Sequence, residues 1–458
     1  MTTALVPARA RRGSPVGRAI GEAAAPRAAA VHLFEADSQP HVLVVEGSQI
    51  FGVDAGAFAT LERAIAAGDD AVDRELTRLG IARTSGGSPF VDDAPPASPP
   101  VRALSLAVAQ KCNLACSYCY AREGSFGGEP AAMSLDMAHA AVDKLLADVV
   151  PGERINLSFL GGEPLANRVV LRAATERAAE LAAARDVVVT FSITTNGTLV
   201  TPDDGAFFER YGFAVTVSLD GIGEVHDRQR PFKSGRGSYA RILDLIAPLL
   251  AMQRRMQVSA RVTVTPRNLA LRDSLDALIA LGFHSVGFSP MLASPTNSGE
   301  LAAPDLDTML AEMISCGRAY ERAVRAGQRY AFANMTNAMR ELARGTHRPY
   351  PCGAGAGYLS VSAAGDLSAC HRFIGDPAGA LGSLAEGIDA ERRAAWLGER
   401  HVHRQEPCRR CWARYMCGGG CHHEVIHRGR PACDYIRGWL HYCLGAYVRL
   451  ADAAAFDA

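Results

Sequence analysis

The chain has 458 residues, 48% of them apolar, and its 48 Lys and Arg balance 48 Asp and Glu to a formal net charge of zero. That composition suits an ordinary globular protein of two or three domains and excludes the basic excess of nucleic-acid or anionic-membrane binders. No run of about 18 or more apolar residues is present to span a bilayer. Residues 1–30 carry Arg9, Arg11, Arg12, Arg18 and Arg27 with Glu22 as the only acid, and lack the continuous apolar core of a secretory signal; they read as a mobile basic arm. Residues 31–83 read as a small α+β domain. Within it "HVLVV" (41–45) and "QIFGV" (49–53) are strand-like runs around an "EGS" turn, and two segments of helical periodicity follow. The stretch "TSGGSPFVDDAPPASPP" (84–100) has five prolines and little to bury, so it reads as a linker.

From 103 to about 290, strands and helices alternate. The predicted strands are 103–109, 155–160, 187–193, 213–219, 257–264 and 284–289, with amphipathic segments such as 134–148, 168–184 and 268–281 between them. Near-continuous apolar strands linked by helices predict a parallel sheet covered by helices. Six such units predict an α/β fold built as a curved, partly open barrel, with reactive groups at the C-terminal ends of the strands. Residues 303–327 have a further helical pattern. From 350 onward the chain is rich in Cys and Gly and poor in long regular patterns until "DYIRGWLHYCLGAYVRL", so metal is expected to stand in for part of its core.

Twelve cysteines in a long chain without a secretory signal favour metal over disulfides, and hence a cytoplasmic metalloprotein. "KCNLACSYCY" (111–120) spaces Cys112, Cys116 and Cys119 as C-x3-C-x2-C directly after the first barrel strand. Three thiolates on one loop can hold three irons of a [4Fe–4S] cube and leave the fourth open; part of a zinc site, or three structural thiols, is the competing reading. In the C-terminal segment, Cys352 and Cys370 precede "CRRCWARYMCGGGC", which contains Cys408, Cys411, Cys417 and Cys421, and Cys433 and Cys443 follow. These eight match two four-ligand clusters by count, and paired C-x2-C units also suit zinc. Cys316, inside the helical "AEMISCGRAY", reads as a core thiol.

The motif C-x3-C-x-Tyr-C after the first strand of a β/α series resembles the radical S-adenosylmethionine (SAM) superfamily over roughly residues 103–290. The resemblance implies that the open iron binds the methionine moiety of SAM and that the reduced cluster generates a 5′-deoxyadenosyl radical, chemistry that the cofactor brings. It implies that Tyr118 packs against adenine and that Glu163 of "GGEP" (161–164) receives the SAM ammonium, with Gly161 and Gly162 allowing close backbone approach. Asn196 of "TTNG" and Ser218 and Asp220 of "SLDG" are implied contacts to ribose, methionine or substrate, although turn and cap roles compete. Arg261 is implied to pair with the SAM carboxylate, against an internal salt bridge.

The C-terminal cysteines resemble the SPASM extension of peptide- and protein-modifying radical enzymes over about 350–445. The implied architecture is a partial (β/α)6 radical SAM barrel over 101–330 with an N-terminal peptide-recognition-like domain and a SPASM domain over 345–458. The implied cofactors are SAM and three [4Fe–4S] clusters. One auxiliary cluster would use Cys408, Cys411, Cys417 and Cys433; the other Cys352, Cys370 and Cys421, with Cys443 as fourth ligand or the corner left to a substrate thiolate. The implied partners are a substrate peptide or small protein subunit and an electron donor such as flavodoxin or ferredoxin, with no nucleic acid and no membrane. Among these enzymes, "CGAGAGYLSVSAAGDLSACHRFIGDP" and "CGGGCHHEVIHRGRPACDYIRGW" look most like the maturase of quinohaemoprotein amine dehydrogenase, which joins Cys sulfur to an Asp or Glu methylene as a thioether. Sulfatase formylglycine maturases and C–C cross-linking maturases are the alternatives. The sulfatase maturases usually carry an Asp after a SPASM cysteine as base; here His371 follows Cys370, and no general base is assigned.

Overall fold

The structure, a computed structural model, describes residues 30–81, 91, 94–95, 98–345 and 347–451. Residues 1–29 of the expected basic arm, and much of the expected linker, lie outside the described residues. The chain forms two compact units. One comprises residues 1–95, 306–352 and 398–458, the other 96–305 and 353–397.

The N-terminal segment opens with β1 (Val31–Ala36), β2 (Gln39–Val44) and β3 (Gln49–Gly52), an antiparallel three-stranded sheet in that order. Helices α1 (Ala55–Ala67) and α2 (Asp69–Arg78) follow; Asp54 caps α1 by accepting from the Ala57 N–H. Val42, Val44, Leu61, Val72 and Leu76 form the buried seam between sheet and helices. The strand β1 was not among the predicted elements, and it places His32 and Phe34 on the sheet's edge strand.

The larger unit begins with β4 (Ala103–Gln110), followed by the short β5 (Ala131–Ala132), α3 (Leu135–Leu146), β6 (Arg154–Gly161), α4 (Arg168–Ala184), β7 (Val188–Thr195), α5 (Pro202–Tyr211), β8 (Ala214–Ser218), α6 (Glu224–Gln229), α7 (Tyr239–Met252), β9 (Gln257–Val264), α8 (Leu271–Ala280) and β10 (Ser285–Pro290). Strands β4, β6, β7, β8, β9 and β10 are hydrogen-bonded neighbours in that order and all parallel, the six-stranded partial barrel that the alternating pattern predicts. Local signals agree with this path. Thr201 and Asp204 form a capping box at the start of α5, Pro202 occupies its first turn, and Gly212 closes it in the left-handed region. The buried Asp204 carboxylate also takes a forked pair of bonds from Arg168 at 2.7 and 2.9 Å, tying α4 to α5.

The strands are not continuously apolar, as their sequences suggest. Ile155, Leu157, Phe159, Val215, Val217, Val258, Ala260 and Val262 are buried, whereas the alternate positions Asn156, Ser158, Ser192, Thr216, Ser218, Ser259 and Arg261 are partly or fully accessible. Strand periodicity sends these two sets to opposite faces. The second face is laced by hydroxyl contacts, Ser158 to Ser192 at 2.7 Å and Ser259 to Ser285 at 2.8 Å. A filled barrel stacks bulky branched side chains on that face; this one keeps a polar, accessible lining able to receive a ligand.

Beyond β10, α9 (Ala303–Arg325) and α10 (Ala333–Ala343) lead to β11 (Tyr358–Val361), β12 (Asp366–Ser368), β13 (Ala380–Ser383) and β14 (Gly387–Ile388), then α11 (Ala390–Arg400), α12 (Arg414–Cys417), α13 (His422–Arg428) and α14 (Cys433–Leu450). Strand β11 runs parallel to β4 on its free side, and β12 to β14 continue the sheet antiparallel, so a segment read as irregular extends the barrel sheet. In the smaller unit, Val45 packs with Val402, Cys408 and Tyr415, and the His32 ring stacks on Trp412 with centroids 3.7 Å apart. The N-terminal sheet and the Cys-rich loop therefore share one core. Among the described residues no helix is long and apolar enough to cross a membrane.

Candidate active site

Cys112, Cys116 and Cys119 lie on the loop that leaves the C-terminal end of β4. The β4–β6 register shifts between Ala107 and Ala109, a bulge of the kind that re-aims a strand beside a site. Past the bulge, β6 keeps pairing with the start of the cysteine loop: Gly162 N–H donates to the Ala109 carbonyl at 2.8 Å and Glu163 N–H to the Lys111 carbonyl at 3.0 Å. The two glycines permit this approach. Gly161 has φ of 147°, and a Cβ on Gly162 would fall 2.3 Å from the Lys111 carbonyl oxygen. Gly162→Ala is therefore expected to cost about 1–3 kcal/mol by overpacking and to lower iron loading, measurable by thermal denaturation and metal analysis. Parental stability and loading would contradict this account.

The three thiols are partly accessible to solvent. Burial raises the Cys112 thiol and pushes that of Cys116 up to about 12, and the neighbouring Cys119 sulfur acts in the same direction on both. The Leu114 N–H points at the Cys112 sulfur at 3.4 Å and the Asn196 amide at 3.6 Å. Donors aimed at a sulfur stabilise a thiolate ligand. A cleft of about 620 Å³ opens beside Cys116 and Cys119, edged by Lys111, Arg122, Glu123 and Lys233. The loop that borders it is strained: Arg122, Glu123 and Phe126 all have left-handed φ. Such strain clusters at active sites and ligand clamps.

Glu163, fully buried, accepts from Thr195 Oγ1 at 2.8 Å, Leu165 N–H at 3.0 Å and Asn196 N–H at 2.7 Å. Burial nonetheless raises its pKa, with these bonds opposing. Asn196 holds the cysteine loop, donating to Asn113 Oδ1 at 3.0 Å while its own carbonyl accepts from Thr198. Ser218 and Arg261 are register partners on the accessible face of β8 and β9, on the strand face that would line a bound cofactor.

Tyr118 is buried, and its hydroxyl donates to Asp220 and accepts from Arg230 Nη1 at 2.6 Å. The other Asp220 oxygen accepts from the Thr263 N–H at 2.8 Å. Arg230 is 8% exposed, and its Nε–H, fully buried, has no acceptor among the described residues. A buried donor left without a partner fits a site that takes a further group. Sequence reasoning missed Arg230 together with His226 and Asp227. His226 accepts the Asp220 N–H at 3.2 Å and bonds Ser238 at 2.9 Å, while Asp227 accepts the Ser238 and Tyr239 N–H groups. The only signal was a run of charged residues, "EVHDRQR", just after a barrel strand.

Burial, then the nearby Arg230 charge, lowers the His226 pKa from 6.5 to about 3. The unfolded chain thus takes up this proton first. The stability owed to the neutral ring is intact above pH 6.5 and is lost progressively as pH falls toward 3. His226→Gln is expected to flatten the acid limb of thermal midpoint against pH in that window; an unchanged slope would count against it.

The smaller unit gathers a second set of thiols. Cys408, Cys411, Cys417 and Cys433 lie within electrostatic reach of one another; burial pushes Cys408 up to about 11 and raises Cys417 and Cys433, against the opposing pull of Arg430 on Cys408, of backbone N–H groups on Cys417 and of Arg437 on Cys433. Gly418, Gly419 and Gly420 all have left-handed φ, and a Cβ on Gly418 would lie 2.3 Å from the Tyr350–Pro351 peptide. That turn lets the Gly419 and Gly420 N–H groups aim at the Cys417 sulfur. Four sulfurs with backbone donors can hold a metal cluster. Cys421 immediately precedes α13 and Cys352 lies in the same unit, whereas Cys370 follows β12 in the larger unit. Cys443 is fully buried on α14 near Tyr435 and Glu321, and Cys316 is fully buried on α9.

A parallel partial barrel with a three-cysteine loop after its first strand defines the radical SAM class of enzyme. Residues 106–269 match the radical SAM superfamily. The chain is similar to the serine-type anaerobic sulfatase-maturating enzyme of Klebsiella aerogenes, 26% identical over 359 residues that cover 75% of this chain and 86% of that protein. It is also similar to the serine-type anaerobic sulfatase-maturating enzyme of Bacteroides thetaiotaomicron, 25% identical over 76% of this chain and 89% of that one. Its fold is similar to the solved structure of native anSMEcpe with bound AdoMet and Cp18Cys peptide, at TM-score 0.63 and 17% identity, over 77% of this chain and 99% of that chain. When bound, a [4Fe–4S] cluster and SAM supply a radical able to take hydrogen from an unactivated C–H bond. Cys112, Cys116 and Cys119 would hold the cluster, and the polar faces of β6 to β9 would face the cofactor.

Proposed function

We propose that the protein is a peptide maturase that forms intra-peptidyl thioether links between a Cys sulfur and an Asp or Glu methylene carbon, in a small dehydrogenase subunit or a ribosomal peptide. The observation that carries this reading is His371, the residue after Cys370. The sulfatase maturases usually carry an Asp as base at that place. Here an imidazole accepts or donates at 3.0 Å to the Tyr358 hydroxyl, which in turn bonds Ser105 at 2.7 Å. Burial, then the charges of Arg372 and Arg261, lowers the His371 pKa from 6.5 to about 4, so the ring is neutral near pH 7. A thioether link needs the substrate's own thiol rather than a protein carboxylate at that position.

Further support comes from extent. The anSMEcpe likeness takes in nearly all of that chain but leaves about a quarter of this one unmatched, as its 77% coverage requires. The α+β sheet of β1 to β3 is read as a peptide-recognition element, an extended peptide adding to its edge. The quartet of Cys408, Cys411, Cys417 and Cys433 is read as an auxiliary [4Fe–4S] cluster. Cys352, Cys370 and Cys421 are read as ligands of a second, with Cys443 or a substrate thiolate completing it. A low-potential donor such as flavodoxin or ferredoxin would supply electrons.

The alternative is formylglycine formation, favoured by the similarity to the Klebsiella aerogenes enzyme over 75% of this chain. Mass spectrometry of a co-expressed candidate peptide separates the two. Loss of two hydrogens per link, with the thiol no longer alkylatable, is expected; a Cys or Ser converted to an aldehyde would overturn the thioether reading.

A further inference from the structure

We propose that Arg230 is the cationic partner of the cluster held by Cys112, Cys116 and Cys119, setting its reduction potential, and that residues 229–233 clasp the cluster loop. The proposal rests on reading those three cysteines as iron–sulfur ligands.

The clasp is a short antiparallel pairing. Ser117 N–H donates to the Gln229 carbonyl at 3.0 Å, Ala115 N–H to the Pro231 carbonyl at 2.9 Å and Lys233 N–H to the Asn113 carbonyl at 3.2 Å, with Leu114 and Phe232 as bridge partners. The whole inter-cysteine stretch is therefore held by a segment outside any strand of the barrel. Ser238 Oγ anchors that segment from behind by donating to the Arg230 carbonyl at 2.6 Å, and His226 holds Ser238 in turn.

This pairing carries the Arg230 side chain into the interior beside the cysteines. A simple internal salt bridge with Asp220 does not account for its geometry. The nearest Arg230–Asp220 approach is 3.7 Å, too long for a hydrogen bond, and that Asp220 oxygen already accepts from Tyr118. Arg230 makes its direct bond to the neutral Tyr118 hydroxyl, and its Nε–H is left buried without an acceptor among the described residues. Among the described residues this guanidinium meets the Asp220 carboxylate only at ion-pair distance, not at hydrogen-bond distance. Its charge acts on Cys116, Cys112 and Glu163, and after burial it is the largest influence on the Cys116 sulfur.

Three thiolates outnumber the positive charge of the cube they hold, and reduction by one electron makes the assembly more negative still. A fixed buried cation beside it favours the reduced form and raises the midpoint potential, because low dielectric strengthens the interaction. Asp220 moderates the same cation. Removing the carboxylate while keeping Arg230 should shift the potential in the opposite direction from removing Arg230.

The test is a dithionite titration of the anaerobically reconstituted full chain, following the EPR signal that responds to added SAM, with iron and sulfide measured in parallel. R230Q is expected to make reduction at least tenfold less favourable, about 59 mV for a one-electron couple. R230K, which keeps the charge, is expected to stay within about threefold of the parent, and D220N to shift upward. A parental midpoint in R230Q, or equal shifts in R230K and R230Q, would overturn the assignment. Should R230Q fail to load iron, R230K and D220N decide the matter: an unmoved or lowered midpoint in D220N overturns it. A parent that binds no iron would defeat the ligand reading instead, and with it the premise.

Discussion

Replacing Cys116 with alanine is expected to remove about four irons per chain, as one cubane holds, and to depress deoxyadenosine release by well over a hundredfold. Loss of a supporting group around a metal costs ten- to hundred-fold; loss of one of three ligands on an incompletely ligated cube leaves two thiolates and should cost more. The fold should survive. Tyr118 and Ser117 are tied down by Asp220, Arg230 and Gln229 independently of the Cys116 sulfur, and the core of Ile155, Leu157, Phe159 and Val217 is not touched. Circular dichroism near that of the parent, with iron and turnover both reduced, is the expected pattern. Undiminished turnover would remove the loop from the chemistry.

Cys411→Ala is expected to act differently. The stretch around residues 405–431 buries few apolar side chains, Cys408, Ala413 and Tyr415 among them, and also buries the polar Gln405, Arg414 and His422. Its chain turns through three glycines with left-handed φ, Gly418, Gly419 and Gly420. Metal ligation there would add cohesion, since structural metal sites contribute on the order of 10 kcal/mol to the folding of small metal-dependent modules. The variant should lose about four irons, expose this stretch to proteolysis and fail to yield modified peptide. SAM cleavage should persist, because the Cys112 loop belongs to a unit with its own core. Limited proteolysis and deoxyadenosine assay read the two effects separately; loss of SAM cleavage with an intact protease pattern would contradict this division.

Most of the barrel was legible because each strand is long enough to declare itself. The runs at 103–109, 155–160, 257–264 and 284–289 agree with β4, β6, β9 and β10 to within a residue or two, and helix α4 has the predicted bounds 168–184. Failure came where elements are short. Strands β11 to β14 have four residues or fewer, too few for a period-two pattern to separate them from coil, and the pairing of β11 with β4 links residues some 250 positions apart. That the three cysteines share one loop after the first barrel strand was legible from their spacing, which needs no tertiary information. Arg230 and His226 were not. They sit in a polar, glycine-punctuated stretch that reads as an exposed loop, and only the backbone clasp on residues 113–117 draws them inside. The adenine contact of Tyr118 was an expectation from the family resemblance; the folded chain gives its hydroxyl a place between Asp220 and Arg230, which no local pattern could announce.

The most direct measurement is the EPR spectrum of the anaerobically reduced protein before and after adding SAM. A cluster with one corner open to the cofactor should change its g-values when SAM binds, and Cys112→Ala, Cys116→Ala and Cys119→Ala should each abolish the responding signal while leaving other iron–sulfur signals in place. A spectrum indifferent to SAM in protein that holds iron and sulfide would contradict the account at its centre.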